Sequence, residues 1–153
     1  MVELRIEGLE RISKIAGAVQ STTPKLRPRL LAGIRAVGKP IVADIREEAS
    51  SSLPHGGGLN EWVAKSNFGI RSRTSGITAG IRIVGQRSGH DLDVIDRGRV
   101  RHPLFGNRKS WFQESVKPGF FSRPAEASET KAQTAVLKVM DEFAAEIHRK
   151  ASS

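Results

Sequence analysis

Two stretches of the chain alternate apolar and polar residues, which is the period of a half-buried β-strand. At the N-terminus, Val2, Leu4 and Ile6 alternate with charged residues and predict a short strand. Residues 77–84 alternate in the same way and are rich in β-branched side chains, so they predict the best strand of the chain. A mixed pattern over 59–73 predicts its hairpin partner, and residues 92–95 predict a third strand.

Helical periodicity appears in three other stretches. Residues 9–19 predict a first helix, and a proline at position 124 opens a last one. Between them, a second helix is predicted from about Pro24, with a kink at Pro40 because proline lacks the N–H that would bond to residue 36. Its apolar positions recur at steps of three and four: Leu26, Leu30, Ile34, Val37, Ile41, Ile45 and Ala49.

These elements predict an α+β fold with the order β-α-α-β-β-β-loop-α. A small antiparallel sheet is expected to be packed by the long kinked helix and the C-terminal helix, with an extended aromatic and basic arm at about 97–123. With 153 residues and no internal repeat, the chain is expected to form a single domain over residues 1–153.

Composition narrows the range of possible functions. No apolar run approaches the roughly 20 residues of a membrane span, and the charged N-terminus lacks the apolar core of a secretory signal, so no membrane partner is expected. The chain has no cysteine, which excludes disulfides and thiolate metal sites. A net charge of +9 and a pI of 10.6 favour an anionic partner, either nucleic acid or an acidic protein surface.

The segment 97–124 concentrates both the aromatic residues and the positive charge. It holds five of the eight aromatic residues, and its seven Arg and Lys residues face one acid, Glu114. Aromatic and Arg side chains are enriched at protein interfaces, although rings among Gly and Pro also commonly fold back onto their own domain. The candidate interface residues are Arg97, Arg99, Arg101, His102, Phe105, Trp111, Phe112, Phe120 and Phe121.

Arg97, Arg99 and Arg101 suggest a more specific contact. Alternate residues of an extended chain face one side about 6.6 Å apart, which matches every second phosphate along a DNA strand. Such a row is equally suited to pair with acids of a neighbouring subunit, or to keep an edge strand soluble.

No catalytic constellation is recognisable. The four histidines are far apart, and none has a second ligand three or four residues away. The nearest resemblance to a metal site is His90 with Asp91, Asp93 and Asp96, where Asp91 and Asp93 are expected to share one strand face and Asp96 the other. Gly56 to Gly58 lack the preceding strand and following Lys of a phosphate-binding loop. We therefore expect no enzyme activity, cofactor or metal.

Two motifs resemble a family of tail-component proteins of long-tailed bacteriophages. They are RGRVRHPLFGNRKSWFQESVKPGFFSRP, which a proline-started helix follows at once, and LPHGGGLNEWVAKS after the long helix. The resemblance implies a virion protein of the neck, or head-to-tail connector, made in the host cytoplasm and assembled as a homo-oligomeric ring. Its implied partners are other copies of the chain and neighbouring connector, portal-adaptor or tail-terminator proteins, with possible non-specific contact to genomic DNA.

Two alternatives remain open from the sequence. One is a tail-terminator or tail-completion role in the same virion, and the other is a sequence-independent DNA-binding protein. For the connector role, the rings of the arm are expected to serve mainly between subunits, because both long helices already have continuous core stripes.

Overall fold

A computed structural model describes residues 2–6, 26–75, 78–89 and 91–152. The predicted first helix over 9–19 lies outside the described residues. The elements, in chain order, are β1 (Val2–Ile6), α1 (Leu26–Ser52), a 3-10 turn (Gly56–Gly58), α2 (Leu59–Ala64), β2 (Asn67–Ser75), β3 (Thr78–Gln86), α3 (Leu92–Asp96), β4 (Arg99–Leu104), β5 (Asn107–Ser115) and α4 (Ser122–Ala151).

The predicted α+β class is confirmed, with small antiparallel sheets. Strands β1, β3 and β2 form a three-stranded sheet in that order, and β4 pairs with β5 in a separate two-stranded sheet. The strand predicted over 77–84 is confirmed as β3, where Ile81 and Ile83 are both buried.

Helix α1 confirms the predicted apolar stripe, since Leu30, Ile34, Ile41, Ile45 and Ala49 are all buried. The helix runs through Pro40, and the predicted kink there stays a prediction.

Two glycines let α1 approach its neighbours closely. A Cβ added to Gly33 would lie 2.9 Å from Val139 of α4, and one added to Gly38 would lie 2.7 Å from Ile70 of β2. Both distances are shorter than real Cβ contacts, so an alanine at either position would force the facing side chain to shift.

Packing divides the chain into two compact units, one formed by residues 1–3, 41–69 and 84–127 and the other by 4–40, 70–83 and 128–153. The second unit buries apolar residues that include Leu30, Ile34, Ile81, Ile83, Ala132, Val136 and Met140. The first buries Ile41, Ile45, Leu53, Val63, Leu92, Ile95, Phe120 and Phe121 among others. The expectation of a single domain stays a prediction.

One predicted strand is a helix over its first part, and another is a helix throughout. Residues 59–64, assigned to a strand with Trp62 and Val63 at its start, form α2, whereas the rest of the strand predicted over 59–73 is confirmed by β2, the neighbour of β3. Residues 92–95, the predicted third strand, belong to α3, whose buried Leu92 and Ile95 are three positions apart. Asp91 caps this helix by accepting a hydrogen bond from the Asp93 N–H at 3.0 Å, so Asp91, Asp93 and Asp96 do not alternate across a strand.

The last helix, α4, begins at Ser122, slightly before the predicted Pro124. The side chain of Asp96 in α3 satisfies free N–H groups at the N-terminus of α4. Asp96 Oδ1 accepts hydrogen bonds from the N–H groups of Phe121 at 2.7 Å and Ser122 at 3.2 Å. The negative carboxylate also complements the helix dipole. At the other end, His148, Arg149 and Lys150 occupy the last turn, as the sequence predicts.

Candidate interaction surface on the exposed hairpin

The segment predicted as an extended arm contains an antiparallel hairpin. Strands β4 and β5 pair from Arg99 opposite Ser115 to Leu104 opposite Asn107. Every residue of β5 is exposed, and β4 buries only Val100. The hairpin therefore leaves most of its side-chain surface uncovered. Isolated two-stranded hairpins are at best marginally stable in water, so contact with a further surface would stabilise it.

The tip of the hairpin carries a conformational strain and an exposed ring at the same residue. Phe105 has φ of 48°, the only non-glycine residue with positive φ in the described part of the chain, and Gly106 follows with φ of 77°. Two successive positive φ values are typical of the tight turns of hairpins, where Asn and Gly are the usual residues. A left-handed conformation costs an ordinary residue about 1–2 kcal/mol, yet the Phe105 side chain remains 99% exposed. Packing of the Phe105 side chain within the described residues does not offset that cost.

The ribbon has two faces with different chemistry. Residues directly opposite each other in an antiparallel pair share a face, and successive residues alternate between faces. Arg101 is opposite Gln113 and Pro103 is opposite Trp111, whereas His102 is opposite Phe112. We call the side that holds Arg99, Arg101 and Trp111 the cationic face, and the side that holds His102, Phe112 and Glu114 the histidine face.

On the cationic face, an arginine stacks on the exposed indole. The Arg101 guanidinium carbon lies 5.1 Å from the centre of the Trp111 ring. The Trp111 Nε1–H donates a hydrogen bond to the backbone oxygen of Arg108 at 3.0 Å. This bond spans the irregularity in the pairing just after Pro103. The indole is therefore held in place although half of it is exposed to solvent, which pre-organises it for contact with another surface.

On the histidine face, His102 links a ring and an acid. Its imidazole lies 5.8 Å from the Phe112 ring, tilted by 58°. Its Nε2 lies 3.6 Å from Glu114 Oε2, a loose ion pair when the histidine is protonated. Phe112 itself is 51% exposed, so these contacts leave its outer surface uncovered.

A pocket of about 450 Å³ adjoins the base of the histidine face. Its walls combine the apolar side chains of Pro54, Leu59, Trp62, Val100 and Val116 with the glycine turn 56–58, His102 and Glu114. At each of the three glycines an added Cβ would meet open space. The volume falls within the roughly 300–1,000 Å³ of typical ligand pockets, and a mostly apolar lining with a few polar groups is also typical.

The glycine turn is held by a buried amide. Asn60, which is 6% exposed, donates a hydrogen bond from Nδ2 to the Ser50 oxygen at 3.2 Å, and its N–H bonds to the Pro54 oxygen at 3.3 Å. The turn itself closes through the Gly58 N–H and the His55 oxygen at 3.1 Å. The pocket wall is thus fixed to the C-terminal end of α1 rather than formed by a loose loop.

Charged groups beside the pocket are arranged around Trp62. Arg87 lies over the Trp62 ring at 4.5 Å and also donates a hydrogen bond to the Trp62 backbone oxygen. The neighbouring Glu61 carboxylate accepts a hydrogen bond from Lys65 at 2.9 Å, and this bond lowers the pKa of Glu61. Glu61 therefore stays ionised as the pH falls toward the ordinary pKa of a glutamate.

The structure separates the candidate interface residues into two groups. Arg99, Arg101, His102, Phe105, Trp111 and Phe112 all lie on the hairpin. Arg97 does not continue the strand, because it caps the end of α3 and its Nη2 lies 2.7 Å from Asp93. The predicted row of three arginines is therefore reduced to two.

Phe120 and Phe121 belong to the core, with exposures of 0% and 3%. Phe121 stacks on Phe68 at 6.3 Å and meets Phe120 edge-on at 6.5 Å. The expectation that the whole arm is spared from the core is wrong for these two rings, because they are buried within their own unit, where Phe121 packs on Phe68 and Ala125 is also buried.

The positive charges of the segment divide in the same way. Lys117 and Arg123 lie 3.6 and 3.5 Å from Glu48 Oε1, so they pair within their own unit. Arg99, Arg101, Arg108 and Lys109 form no ion pair with an acid in the described residues, and all four are exposed. The uncompensated charge therefore lies on the hairpin together with the exposed rings.

Within residues 2–6, 26–75, 78–89 and 91–152, no group of three or more His, Cys, Asp or Glu side chains is arranged to hold a metal ion. No helix in those ranges is long and apolar enough to cross a membrane. His90 lies outside the described residues. No family model, curated protein or solved structure matches the chain.

Sequence reasoning missed the pocket and the tip of the hairpin. The pocket brings together residues 54–62, 100–102 and 114–116, which no local pattern connects. The tip had one readable signal, Gly106, because glycine is favoured at the second position of a two-residue hairpin turn, although Phe105 before it is not a usual turn residue.

Proposed function

We propose that this protein is a non-enzymatic structural component of the phage head-to-tail connector, or neck, and that its exposed hairpin binds neighbouring subunits in a homo-oligomeric ring. Its location would then be the virion, at the junction of capsid and tail. Its partners would be further copies of the chain and the adjoining connector, portal-adaptor or tail-terminator proteins.

The observation that carries this proposal is the hairpin from Arg99 to Ser115. It presents four large apolar side chains to solvent in the single chain: Leu104 at 41%, Phe105 at 99%, Trp111 at 50% and Phe112 at 51% exposure. Single apolar residues are common on protein surfaces, but a hairpin with three exposed aromatic rings, and four cations that form no ion pair within the described residues, has the composition of an interface. Burial of these rings by a second protein would recover the hydrophobic free energy that the isolated chain does not gain.

The resemblance to tail-component proteins supplies the biological setting. The longer resembling motif spans both strands of the hairpin, and the shorter one contains the glycine turn and α2. Both therefore coincide with the exposed surface and its pocket. A tail-terminator or tail-completion role uses the same kind of ring contact and is the second candidate within the virion.

Self-association of the purified chain and its incorporation into particles test this proposal together. We expect higher-order species with rising concentration in sedimentation velocity, and a ring at the neck in particles from a phage that lacks the gene and is complemented with it. The double variant Trp111→Ala/Phe112→Ala should lose both, whereas Gln113→Ala, an exposed neighbour on the same strand, should retain both. Normal tails formed with the double variant at normal protein levels would contradict the proposal.

A sequence-independent DNA-binding function is the candidate of a different class, supported by Arg99 and Arg101 on one exposed face. The hairpin offers two cations on a strand and not the recognition helix with which many sequence-specific proteins enter the major groove. Any binding to duplex DNA should therefore be weak and electrostatic. Titration across salt separates the two functions, because DNA affinity falls steeply as counterions compete for the phosphates. Nanomolar binding at physiological salt would favour the DNA-binding function.

A further inference from the structure

The hairpin tip and the glycine-walled pocket are complementary, but one chain cannot join them. Phe105 is 99% exposed, so it does not occupy the pocket of its own chain. The pocket includes His102, three residues before Phe105 on the same ribbon, which places the tip about 10 Å beyond it at strand spacing. A paired ribbon does not fold back on itself over that distance. If the tip enters such a pocket, the pocket belongs to another copy.

We propose that Phe105 of one subunit inserts into the pocket between Trp62 and His102 of the next subunit. This inference rests on the proposed ring and specifies the contact that builds it. It makes the interface tip-to-base, with different surfaces on the two partners, which is the head-to-tail arrangement that closes into rings or continues into filaments.

Shape and polarity support a phenyl ring as the occupant. The pocket walls include Pro54, Leu59 and Trp62, whose pocket-lining apolar atoms would contact an inserted ring. The open space above Gly56, Gly57 and Gly58 is the room that a side chain from outside would fill. The pocket volume of about 450 Å³ accommodates an aromatic ring together with part of its turn.

Charge complementarity favours the same occupant. The tip carries Arg108 and Lys109, both exposed and without an acid partner in the described residues. The pocket wall carries Glu114, whose only ion-pair contact among those residues is His102 at 3.6 Å. Insertion of the tip would bring Arg108 and Lys109 toward Glu114. A neutral apolar peptide in the same pocket would make no ion pair with this acid.

The absence of native cysteine makes the contact directly testable by disulfide trapping. Leu104→Cys, at an exposed position beside Phe105 that leaves the Phe105 ring in place, and Gly56→Cys are prepared as separate full-length variants with tags of different size and mixed under mild oxidation. Gly56 suits this role because its added Cβ meets open space and its φ is not left-handed. The expected product is the mixed disulfide. The matched control pairs Leu104→Cys with Lys138→Cys, an exposed position on α4, and should give at least tenfold less.

Self-association provides a second, independent measurement. Phe105→Ala removes the ring and Gly56→Trp fills the pocket, and each should raise the concentration for half-maximal association about 30-fold. Because both act on one contact, the double variant should be little worse than either single variant. Phe105→Leu, which keeps an apolar side chain, should recover part of the loss.

The outcomes distinguish this contact from the ring itself. If the wild-type chain associates but no mixed disulfide forms and neither variant changes the association, the tip-to-base contact is overturned and the ring proposal stands. Disulfides only between two Leu104→Cys chains would likewise overturn it. A wild-type chain that stays monomeric and gives no mixed disulfide overturns both.

Discussion

Two pairs of adjacent aromatic residues in one segment have opposite environments. Trp111 and Phe112 lie on β5 and are each about half exposed, whereas Phe120 and Phe121 are 0% and 3% exposed. The sequence around both pairs has the same character, with Gly, Pro, Ser and cations nearby. Their composition therefore does not explain the difference.

The difference comes from what lies on the two sides of each pair. Successive residues of a strand point to opposite faces, so Trp111 and Phe112 need cover on both sides of a ribbon, and the described chain supplies little on either. Phe120 and Phe121 lie at the start of a helix whose N–H groups are held by Asp96, and Phe68 packs on one of the rings. An aromatic ring becomes core where another element is held against it, and remains a candidate interface where none is.

Removing a ring from each pair should give the largest contrast. Phe120→Ala should lower the free energy of unfolding by about 3–5 kcal/mol, because it empties a fully buried site. Phe112→Ala, which removes the same ring from an exposed site, should change it by less than about 0.5 kcal/mol. Denaturant unfolding of both variants measures this directly, and equal losses would erase the distinction between the pairs.

Removing the Asp96 cap of α4 should destabilise the region of Phe120 and Phe121 without changing either ring. Asp96→Ala removes the acceptor for the N–H groups of Phe121 and Ser122 and should cost about 1–2 kcal/mol of unfolding free energy. Asp93→Ala, on the same short helix, is the control and should cost less. An Asp96 variant as stable as wild type would show that packing alone holds these rings.

At the hairpin tip, we expect a substitution that stabilises the fold and weakens assembly. Phe105→Asn places a residue that tolerates φ of 48° before Gly106, so the free energy of unfolding should rise by about 0.5–1 kcal/mol. The same change removes the exposed ring and should reduce self-association. A loss of stability would indicate that the ring contributes to the fold of its own chain.

A small effect on folding is also expected at Trp111. Its contact with Arg101 is exposed, and such cation–π pairs are weak, so Trp111→Ala should lower the free energy of unfolding by about 0.5 kcal/mol or less. Thermal unfolding and particle incorporation of the same variant are the paired measurements. A large loss of stability with normal incorporation would place Trp111 with the core pair.

Parts of the candidate surface were readable from the sequence, and others were misassigned for local reasons. Six of the nine candidate residues chosen from the rings and cations of 97–124 lie on the hairpin, and their role as an interface stays a prediction. Arg97 was misassigned because its alternation with Arg99 and Arg101 suggested a strand, whereas it lies at the end of α3. The sequence marks this helix by Asp91, which caps its start, and by Gly98, which follows its end. Gly98 has φ of 86°, and its N–H bonds to the Ile95 oxygen at 2.9 Å.

The sequence by itself determined the α+β class, the buried stripe of α1 and the strand at β3, because each depends on a local period that repeats over several residues. Only the tertiary structure decided which rings are buried and where the pocket lies. Burial of Phe120 and Phe121 requires Phe68 and Asp96, more than 20 residues away, and the pocket joins three distant segments. Contacts between residues so far apart leave no period in the sequence, so they are fixed only when the elements pack together.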